Sequence, residues 1–369
     1  MRVVVSGGGT AGHINPALSI TKKILEKEPN SEILFVGTPW GMENRLVAKE
    51  GFPIRHVKVQ GFKRKLCLDN LKTAYLAVTS VGQAKKILRE FRPDLVVGTG
   101  GYVSWPVLRG ASQMKIPTLI HEQNALPGLT TRRLSRFVDR VCLSFESSRS
   151  HFTCREDKIV LTGNPVNPEL KRLSREKCRS ELGISAPYLL SYGGSLGAGM
   201  INQTVFELAK TYSAKSPVFH THAFGAREYE KWMEREREEK ICRFGNVKFV
   251  EYIYDMPRQL AASDLVVCRA GAITLAELAV MGKPAILIPS PNVTDNHQYK
   301  NAKVYEEAGA AVLIEEKDLT PKLLTDRVRE ILTSPERLRI MGENMRKMAL
   351  ADACDVIWDE IVRITKKKV

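Results

Sequence analysis

The sequence predicts an α/β protein built as two Rossmann-like, doubly wound domains, and three observations carry that reading. Short apolar β-branched runs alternate with amphipathic stretches along most of the chain, the pattern of parallel sheets covered by helices. A glycine-rich loop follows a strand and opens a helix twice, at Ser6-Gly7-Gly8-Gly9 and at Tyr192-Gly193-Gly194-Ser195. Segments of the first half also recur in the same order in the second, at offsets of roughly 170 to 190 residues.

Along the chain, Val3-Val4-Val5 reads as a strand, and Leu18, Ile20, Ile24 and Leu25 mark the apolar side of the helix that follows the first glycine loop. Ile33-Leu34-Phe35-Val36 is the next strand. Asp94-Leu95-Val96-Val97-Gly98 leads into Gly100-Gly101, and Ile116-Pro117-Thr118-Leu119-Ile120 is the strand after it. Two prolines and a glycine interrupt the pattern in Thr162-Gly163-Asn164-Pro165-Val166-Asn167-Pro168, which places the linker there. Leu189-Leu190-Ser191-Tyr192 then restates the first strand. Asp264-Leu265-Val266-Val267-Cys268 with Ala270-Gly271 restates the second segment, and Lys283-Pro284-Ala285-Ile286-Leu287-Ile288 the third. From Ser334 to Lys368 the pattern is of consecutive helices. A fold said twice puts the active site in the cleft between the halves.

A chain of 369 residues exceeds the size of one growing core, in agreement with two domains. The 56 Lys and Arg against 41 Asp and Glu give a net charge of +15, which favours an anionic partner without naming it. Nucleic acid, an anionic membrane surface and a diphosphate all fit the charge, but no RNA-binding or helix-turn-helix signature supports nucleic acid. No apolar run approaches the ~20 residues that span a bilayer, so membrane contact is expected to be peripheral. Met1-Arg2-Val3-Val4-Val5 carries no secretory pattern, and seven scattered cysteines suggest neither a disulfide framework nor a zinc site, which fits a reducing cytoplasm. No two aspartates are separated by a single residue, so no metal or other cofactor is called for. Helix N-termini and loop N–H groups are the physical alternative for stabilising a leaving diphosphate.

Gly8-Gly9-Thr10-Ala11-Gly12-His13 allows close backbone approach, with free N–H groups at the following helix start. It is neither a dinucleotide fingerprint nor a P-loop. His13 is the candidate general base, because imidazole titrates near neutral pH. Gly193-Gly194-Ser195-Leu196-Gly197-Ala198 repeats the architecture, and Ser195 is placed to meet a phosphate oxygen. In Arg269-Ala270-Gly271-Ala272-Ile273-Thr274-Leu275-Ala276-Glu277, Glu277 sits one turn into a helix, where a carboxylate can accept both hydroxyls of a ribose. His121 and His297 lie near predicted strand ends.

These motifs, together with Gly100-Gly101-Tyr102-Val103-Ser104, His121-Glu122-Gln123-Asn124, Gly163-Asn164-Pro165-Val166 and Gln298-Tyr299, resemble over essentially the whole chain the MurG family of lipid II-forming N-acetylglucosaminyltransferases. The resemblance implies a GT-B fold, with residues 1–163 plus 350–369 forming an acceptor and membrane-facing domain and 164–349 a UDP-sugar domain. It implies inverting transfer of N-acetylglucosamine from UDP-N-acetylglucosamine to the 4-hydroxyl of undecaprenyl-diphosphate-linked N-acetylmuramyl-pentapeptide, with His13 as base. By the same resemblance Ile253 lies near the uracil and Ala272, Ile273, Thr274, Leu275, Ala276 and Glu277 surround the nucleotide. Ser195 lies at the phosphates and Gln298 at the sugar, while Thr10, Ala11, Gly12 and Asn124 complete the donor site from the other domain. Asn167 belongs to the donor set by its place in the motif. Gly8, Gly9, Gly100, Gly101 and Tyr102 are assigned to the acceptor diphosphate. The family's motifs usually read G-G-T-G-G-H, N-P-V-R and G-G-S-Q-G, where this chain has Ala11, Asn167 and Leu196. Asn167 has no guanidinium to offer a phosphate, and Leu196 cannot hydrogen-bond.

The family's lipid-linked substrate also directs attention to Leu71, Tyr75, Val78 and Val81, one face of a helix near Lys63-Arg64-Lys65, Lys72, Lys85 and Lys86. Such a stripe suits the anionic inner leaflet and a peripheral place on the cytoplasmic face of the membrane, beside other cell-wall synthesis proteins. The rival readings are a GT-B transferase for another glycolipid, a UDP-sugar epimerase acting without acceptor, and a basic nucleic-acid-binding protein.

Overall fold

The computed structural model describes residues 1–61, 69–194, 196–212, 218–350 and 352–366. The chain divides into two compact units, Met1–Val166 with Leu350–Val369, and Asn167–Ala349.

In the first unit the strands are β1 (Arg2–Ser6), β2 (Glu32–Gly37), β3 (Ile54–His56), β4 (Leu95–Gly98), β5 (Thr118–Glu122), β6 (Arg140–Leu143) and β7 (Ile159–Leu161). They form one parallel sheet of order β3-β2-β1-β4-β5-β6-β7. Its helices are α1 (Ala11–Lys27), α2 (Glu43–Lys49), α3 (Asp69–Phe91), α4 (Ser104–Gln113) and α5 (Leu129–Leu134). Helices cover both faces, which is why the strands read as unbroken apolar runs. Val4 packs with Leu34, Val96, Ile120 and Val141 on the side of α3 and α4, whereas Val3 and Val5 pack with Phe35, Leu95 and Leu119 on the side of α1.

The second unit contains α6 (Arg175–Glu181), β8 (Tyr188–Tyr192), α7 (Gly199–Lys210), β9 (Phe219–Ala223), α8 (Tyr229–Glu239), β10 (Val247–Val250) and α9 (Met256–Ala262). It continues through β11 (Leu265–Cys268), α10 (Ala272–Met281), β12 (Ala285–Leu287), α11 (His297–Glu307), β13 (Ala311–Leu313), α12 (Pro321–Leu332) and α13 (Pro335–Lys347). Its parallel sheet has the order β10-β9-β8-β11-β12-β13. Counted from the first strand of each unit, both sheets run 3-2-1-4-5-6, the doubly wound order, and the first sheet adds a seventh strand beyond the sixth. The recurrent sequence segments are β1, β4 and β5 in one unit and β8, β11 and β12 in the other.

One detail of the repetition is chemical. Asp94, just before β4, accepts the Arg2 N–H at 2.7 Å and donates its own N–H to the Arg2 carbonyl at 2.8 Å. Asp264, just before β11, does the same to Tyr188, with both distances 2.8 Å. The aspartate pins the start of the neighbouring central strand, which explains why it precedes the same strand in both halves.

The final helix, α14 (Ala353–Lys366), returns to the first unit. Ile357, Ile361 and Ile364 are buried against the α1 side of that sheet. Lys23 meets Asp355 at 2.9 Å, and Arg140 pairs with Glu360.

Candidate active site

In each unit the order reverses between the first and fourth strands, and the loops leaving those two strands meet at the switch point, where open α/β sheets bind ligands. In the first unit these are the loop from β1 to α1 and the loop from β4 to α4. Thr10 caps α1 in extended geometry and its carbonyl accepts the His13 and Ile14 N–H groups. The His13 ring turns back so that Nδ1 lies 3.0 Å from the Gly8 carbonyl and 3.1 Å from the Thr10 hydroxyl. A carbonyl only accepts, so Nδ1 carries the proton and the lone pair of the neutral ring resides on Nε2. That is the tautomer a general base requires.

Gly100 and Gly101 press against the same imidazole with φ of +98° and +77°. A Cβ on Gly100 would stand 2.9 Å from His13 Cδ2, and one on Gly101 would stand 2.3 Å from the Gly8 carbonyl oxygen. Both the conformation and the space therefore demand glycine. The Thr99 hydroxyl donates to the His13 carbonyl at 2.7 Å, and Gln123 donates to the Thr99 carbonyl at 2.9 Å, binding the loops of β1, β4 and β5 together. The Tyr102 ring lies beside Gly9 and Gly61.

Behind this cluster the His121-Glu122-Gln123 segment is a scaffold. His121 is buried, its Nε2 donates to the Gly163 carbonyl at 2.9 Å and its Nδ1 accepts from Gln123 at 3.0 Å. Burial lowers its pKa to about 4, so it stays neutral. Glu122 accepts the N–H groups of Asn124 and Gly128, both at 3.1 Å, and the Asn124 amide at 3.3 Å, which sets the pose of Asn124. Burial raises the Glu122 pKa.

In the second unit Gly197 (φ +85°) and Gly225 (φ +81°) bring two backbones into direct contact, since a Cβ on Gly197 would lie 2.1 Å from the Phe224 carbonyl oxygen. Ser195 lies outside the described residues, and Leu196 is exposed. At the junction of β11 and α10, Arg269 donates to the carbonyls of Ile288 and Pro289 at 3.1 and 3.0 Å and pairs with Glu316, tying the loop after β12 to that after β11. Gln298, at the start of α11, accepts the Ser290 N–H at 2.9 Å through its side-chain oxygen. Asp295 and Asn296 before it both adopt left-handed geometry, at φ +54° and +51°. Aspartate and asparagine are the non-glycine residues that adopt this geometry most readily.

Glu277 has no hydrogen-bond or ion-pair partner among the described residues, and burial pushes its pKa up to about 7. Tyr192 and Cys268, at the ends of β8 and β11, lie within its electrostatic reach. A desolvated carboxylate without donors among the described residues, at a strand-end junction, has the capacity to accept a ligand's hydroxyls. Ile253 is buried between Tyr252 and Tyr254, both exposed.

The first unit thus gathers Gly8, Gly9, Thr10, Ala11, Gly12, His13, Gly100, Gly101 and Tyr102, with Asn124 attached through Glu122. Asn167 is exposed and caps the short helix Pro168–Arg172 by accepting the Glu169 N–H at 3.0 Å, so its oxygen is engaged locally. Sequence reasoning missed Glu43, a buried carboxylate on α2 that reaches the glycine loop, and Thr99. Glu43 stands on a helix outside the glycine motifs and only folding brings it to one, whereas Thr99 stands inside Gly98-Thr99-Gly100-Gly101 and was passed over for its glycine neighbours. On α3, Tyr75 and Val78 are exposed while Ser80, Ala84 and Leu88 face the core. The Leu71 and Lys72 side chains and Lys63-Arg64-Lys65 lie outside the described residues.

Two doubly wound units, each with a glycine loop at its switch point and neither carrying a dinucleotide fingerprint, have the GT-B architecture. Residues 3–143 match the glycosyltransferase family 28 N-terminal domain and residues 189–357 the glycosyltransferase family 28 C-terminal domain. The chain belongs to glycosyltransferase family 28. It is 47% identical over 370 residues, which is 100% of this chain and 99% of the relative, to the UDP-N-acetylglucosamine–N-acetylmuramyl-(pentapeptide) pyrophosphoryl-undecaprenol N-acetylglucosamine transferase of Acetivibrio thermocellus. The crystal structure of Acinetobacter baumannii MurG is similar with a TM-score of 0.77 at 28% identity, over 98% of this chain and 99% of that one. A UDP-GlcNAc 2-epimerase from Neisseria meningitidis, crystallised with UDP-GlcNAc, shares the fold with a TM-score of 0.68 at 16% identity, over 98% and 100% of the two chains.

Proposed function

We propose that this chain transfers N-acetylglucosamine from UDP-N-acetylglucosamine to undecaprenyl-diphosphate-linked N-acetylmuramyl-pentapeptide, converting lipid I to lipid II in peptidoglycan synthesis. The observation that carries this reading is the full-length identity to a relative whose name states that reaction. In our assignment His13 Nε2 takes the proton of the muramyl 4-hydroxyl as that oxygen attacks the anomeric carbon and UDP leaves, inverting the centre. The loops at Gly8-Gly9 and Gly100-Gly101-Tyr102 face the acceptor diphosphate.

The second unit takes the donor. Glu277 accepts the ribose hydroxyls, which supply the donors its carboxylate lacks. Ile253 flanks the uracil, residues 272–276 surround the nucleotide, Ser195 serves the phosphates, and Gln298 offers its amide to the sugar. Asn167 is the weakest member of the donor set, since its oxygen already caps a helix. No helix among the described residues is long and apolar enough to cross a membrane. We assign membrane contact to the exposed Tyr75 and Val78 with the neighbouring cations Lys85 and Lys86, at the cytoplasmic face.

The test is transfer of radiolabelled N-acetylglucosamine to a soluble lipid I analogue, with an arm lacking acceptor. Labelled disaccharide-lipid from the intact protein, lost in His13→Ala, supports the assignment. Conversion of the UDP-sugar without acceptor would instead indicate an epimerase.

A further inference from the structure

The glycine loop that holds His13 is itself held from the opposite side by Glu43. This side chain is buried at 1% exposure. Its Oε1 accepts the Thr38 N–H at 2.8 Å and the Thr38 hydroxyl at 2.9 Å, and its Oε2 accepts the Gly9 N–H at 3.2 Å. No cation pairs with it among the described residues. Three glycines make room for it: a Cβ on Gly8 would lie 2.9 Å from its carboxyl carbon, one on Gly37 2.5 Å from Cγ, and one on Gly41 2.1 Å from Oε1. A buried carboxylate without a counter-ion is costly, and a fold retains one where its charge is used.

The use follows from the peptide that joins Gly8 to Gly9. Its N–H donates to Glu43, and its carbonyl accepts from His13 Nδ1 at 3.0 Å. Because the two groups belong to one conjugated amide, a carboxylate at the N–H end draws electron density toward the carbonyl oxygen. That oxygen then becomes a stronger acceptor for Nδ1–H, which fixes the ring tautomer and makes Nε2 more basic. The arrangement achieves through a peptide bond what a carboxylate bonded directly to a catalytic histidine achieves in a Ser-His-Asp site. Tyr102, on the loop from β4 to α4, is a further titratable side chain beside the glycine loop.

We propose that Glu43 is a positioning residue for the transfer reaction, acting through the Gly8–Gly9 peptide to hold His13 in the base-competent tautomer. The inference rests on the assignment of His13 as base, and the experiment separates the two. Glu43→Gln keeps the shape and one acceptor oxygen but removes the charge. It is expected to lower kcat about 10-fold, to leave the KM for UDP-N-acetylglucosamine unchanged, and to shift the acid limb of the kcat/KM profile down by about half a pH unit. His13→Ala, measured alongside, is expected to lose about 100-fold or more.

If His13→Ala stays active, the base assignment fails and the proposal with it. If His13→Ala is inactive while Glu43→Gln keeps both its kcat and its acid limb, the base assignment stands and the relay is wrong. Should Glu43→Gln not fold, the intact protein decides by nitrogen-15 spectroscopy. A protonated Nδ1 on His13, with a through-hydrogen-bond coupling between the Gly9 amide and the Glu43 carboxyl carbon, supports the relay. A protonated Nε2 in the neutral ring, or no such coupling, overturns it.

Discussion

Glu277 and His13 show how one residue's task is set by the groups around it. Burial without a donor lifts the Glu277 pKa to about 7, so ionisation of this group works against the free fold. The folded pKa lies above the unfolded one, so its contribution to stability is complete at low pH and is lost as pH rises through about 7. Glu277→Gln is therefore expected to melt higher than the intact protein above neutrality, by scanning calorimetry. The same variant should bind UDP about 10- to 100-fold more weakly, since a charge-assisted pair of hydrogen bonds to the ribose is lost. Titration calorimetry checks this, together with an intact-protein affinity that strengthens as pH is raised through about 7. Unchanged affinity in the variant would remove Glu277 from the ribose. The sequence places Glu277 one turn into α10; that its carboxylate is desolvated and has no donor among the described residues is a tertiary fact, and it supports the assignment to a ligand. Likewise, the place of His13 directly after the glycine loop marks a candidate base, while its tautomer depends on a carbonyl brought round by the turn.

At the level of elements, two packings carry consequences. Helix α14 closes the α1 side of the first sheet with Ile357, Ile361 and Ile364, and Ile361 is wholly buried. Ile361→Ala is expected to cost about 2–5 kcal/mol, read from urea unfolding by the fluorescence of Trp358 in the same cluster. A loss well below 1 kcal/mol would mean that the helix is dispensable to that unit. Beneath the second glycine loop, Ser191 on β8 lies 2.7 Å from His220 Nε2 and 2.8 Å from His222 Nδ1, both on β9. Burial lowers the pKa of His220 to about 3 and that of His222 well below its ordinary value, and His121 in the first unit is lowered to about 4. With folded values below the unfolded value of about 6.5, this stability is present above that pH and is lost as pH falls, by about 1.4 kcal/mol per unit for each histidine. Urea midpoints should thus drop steeply from about pH 6.5 downward; a flat profile would show that these rings are protonated without cost. None of these three histidines betrays its burial by residue type, because His220 and His222 sit in a strand of mixed polarity, Phe219–Ala223, whose two faces only the sheet assigns.

For the whole molecule, the excess of 15 positive charges and the exposed pair Tyr75 and Val78 argue for an anionic surface as partner. A Tyr75→Ser, Val78→Ser double variant should melt like the intact protein yet sediment less with anionic vesicles, and added salt should release both. If the variant unfolds instead, the residues support the core and the membrane assignment is lost. Periodicity alone could not choose between these, because an apolar stripe suits a core as well as a leaflet; the exposure of the two side chains is a tertiary fact. Much else was legible without coordinates. The alternation of β-branched runs with amphipathic stretches determined the α/β class, since strand and helix periods are local properties of the chain. The ordered recurrence of Val3–Val5, Asp94–Gly98 and Ile116–Ile120 as Leu189–Tyr192, Asp264–Cys268 and Lys283–Ile288 determined that the fold is stated twice. The glycine loops announced themselves because close backbone approach excludes every other residue. Glu43 and its glycine cage, the tautomer of His13 and the lack of a donor to Glu277 among the described residues were decided by tertiary structure alone, while the return of the last helix to the first unit was expected only through the family resemblance. Each depends on groups from distant segments meeting at hydrogen-bond range or being removed together from water, and neither distance nor desolvation is a property of residues in a line.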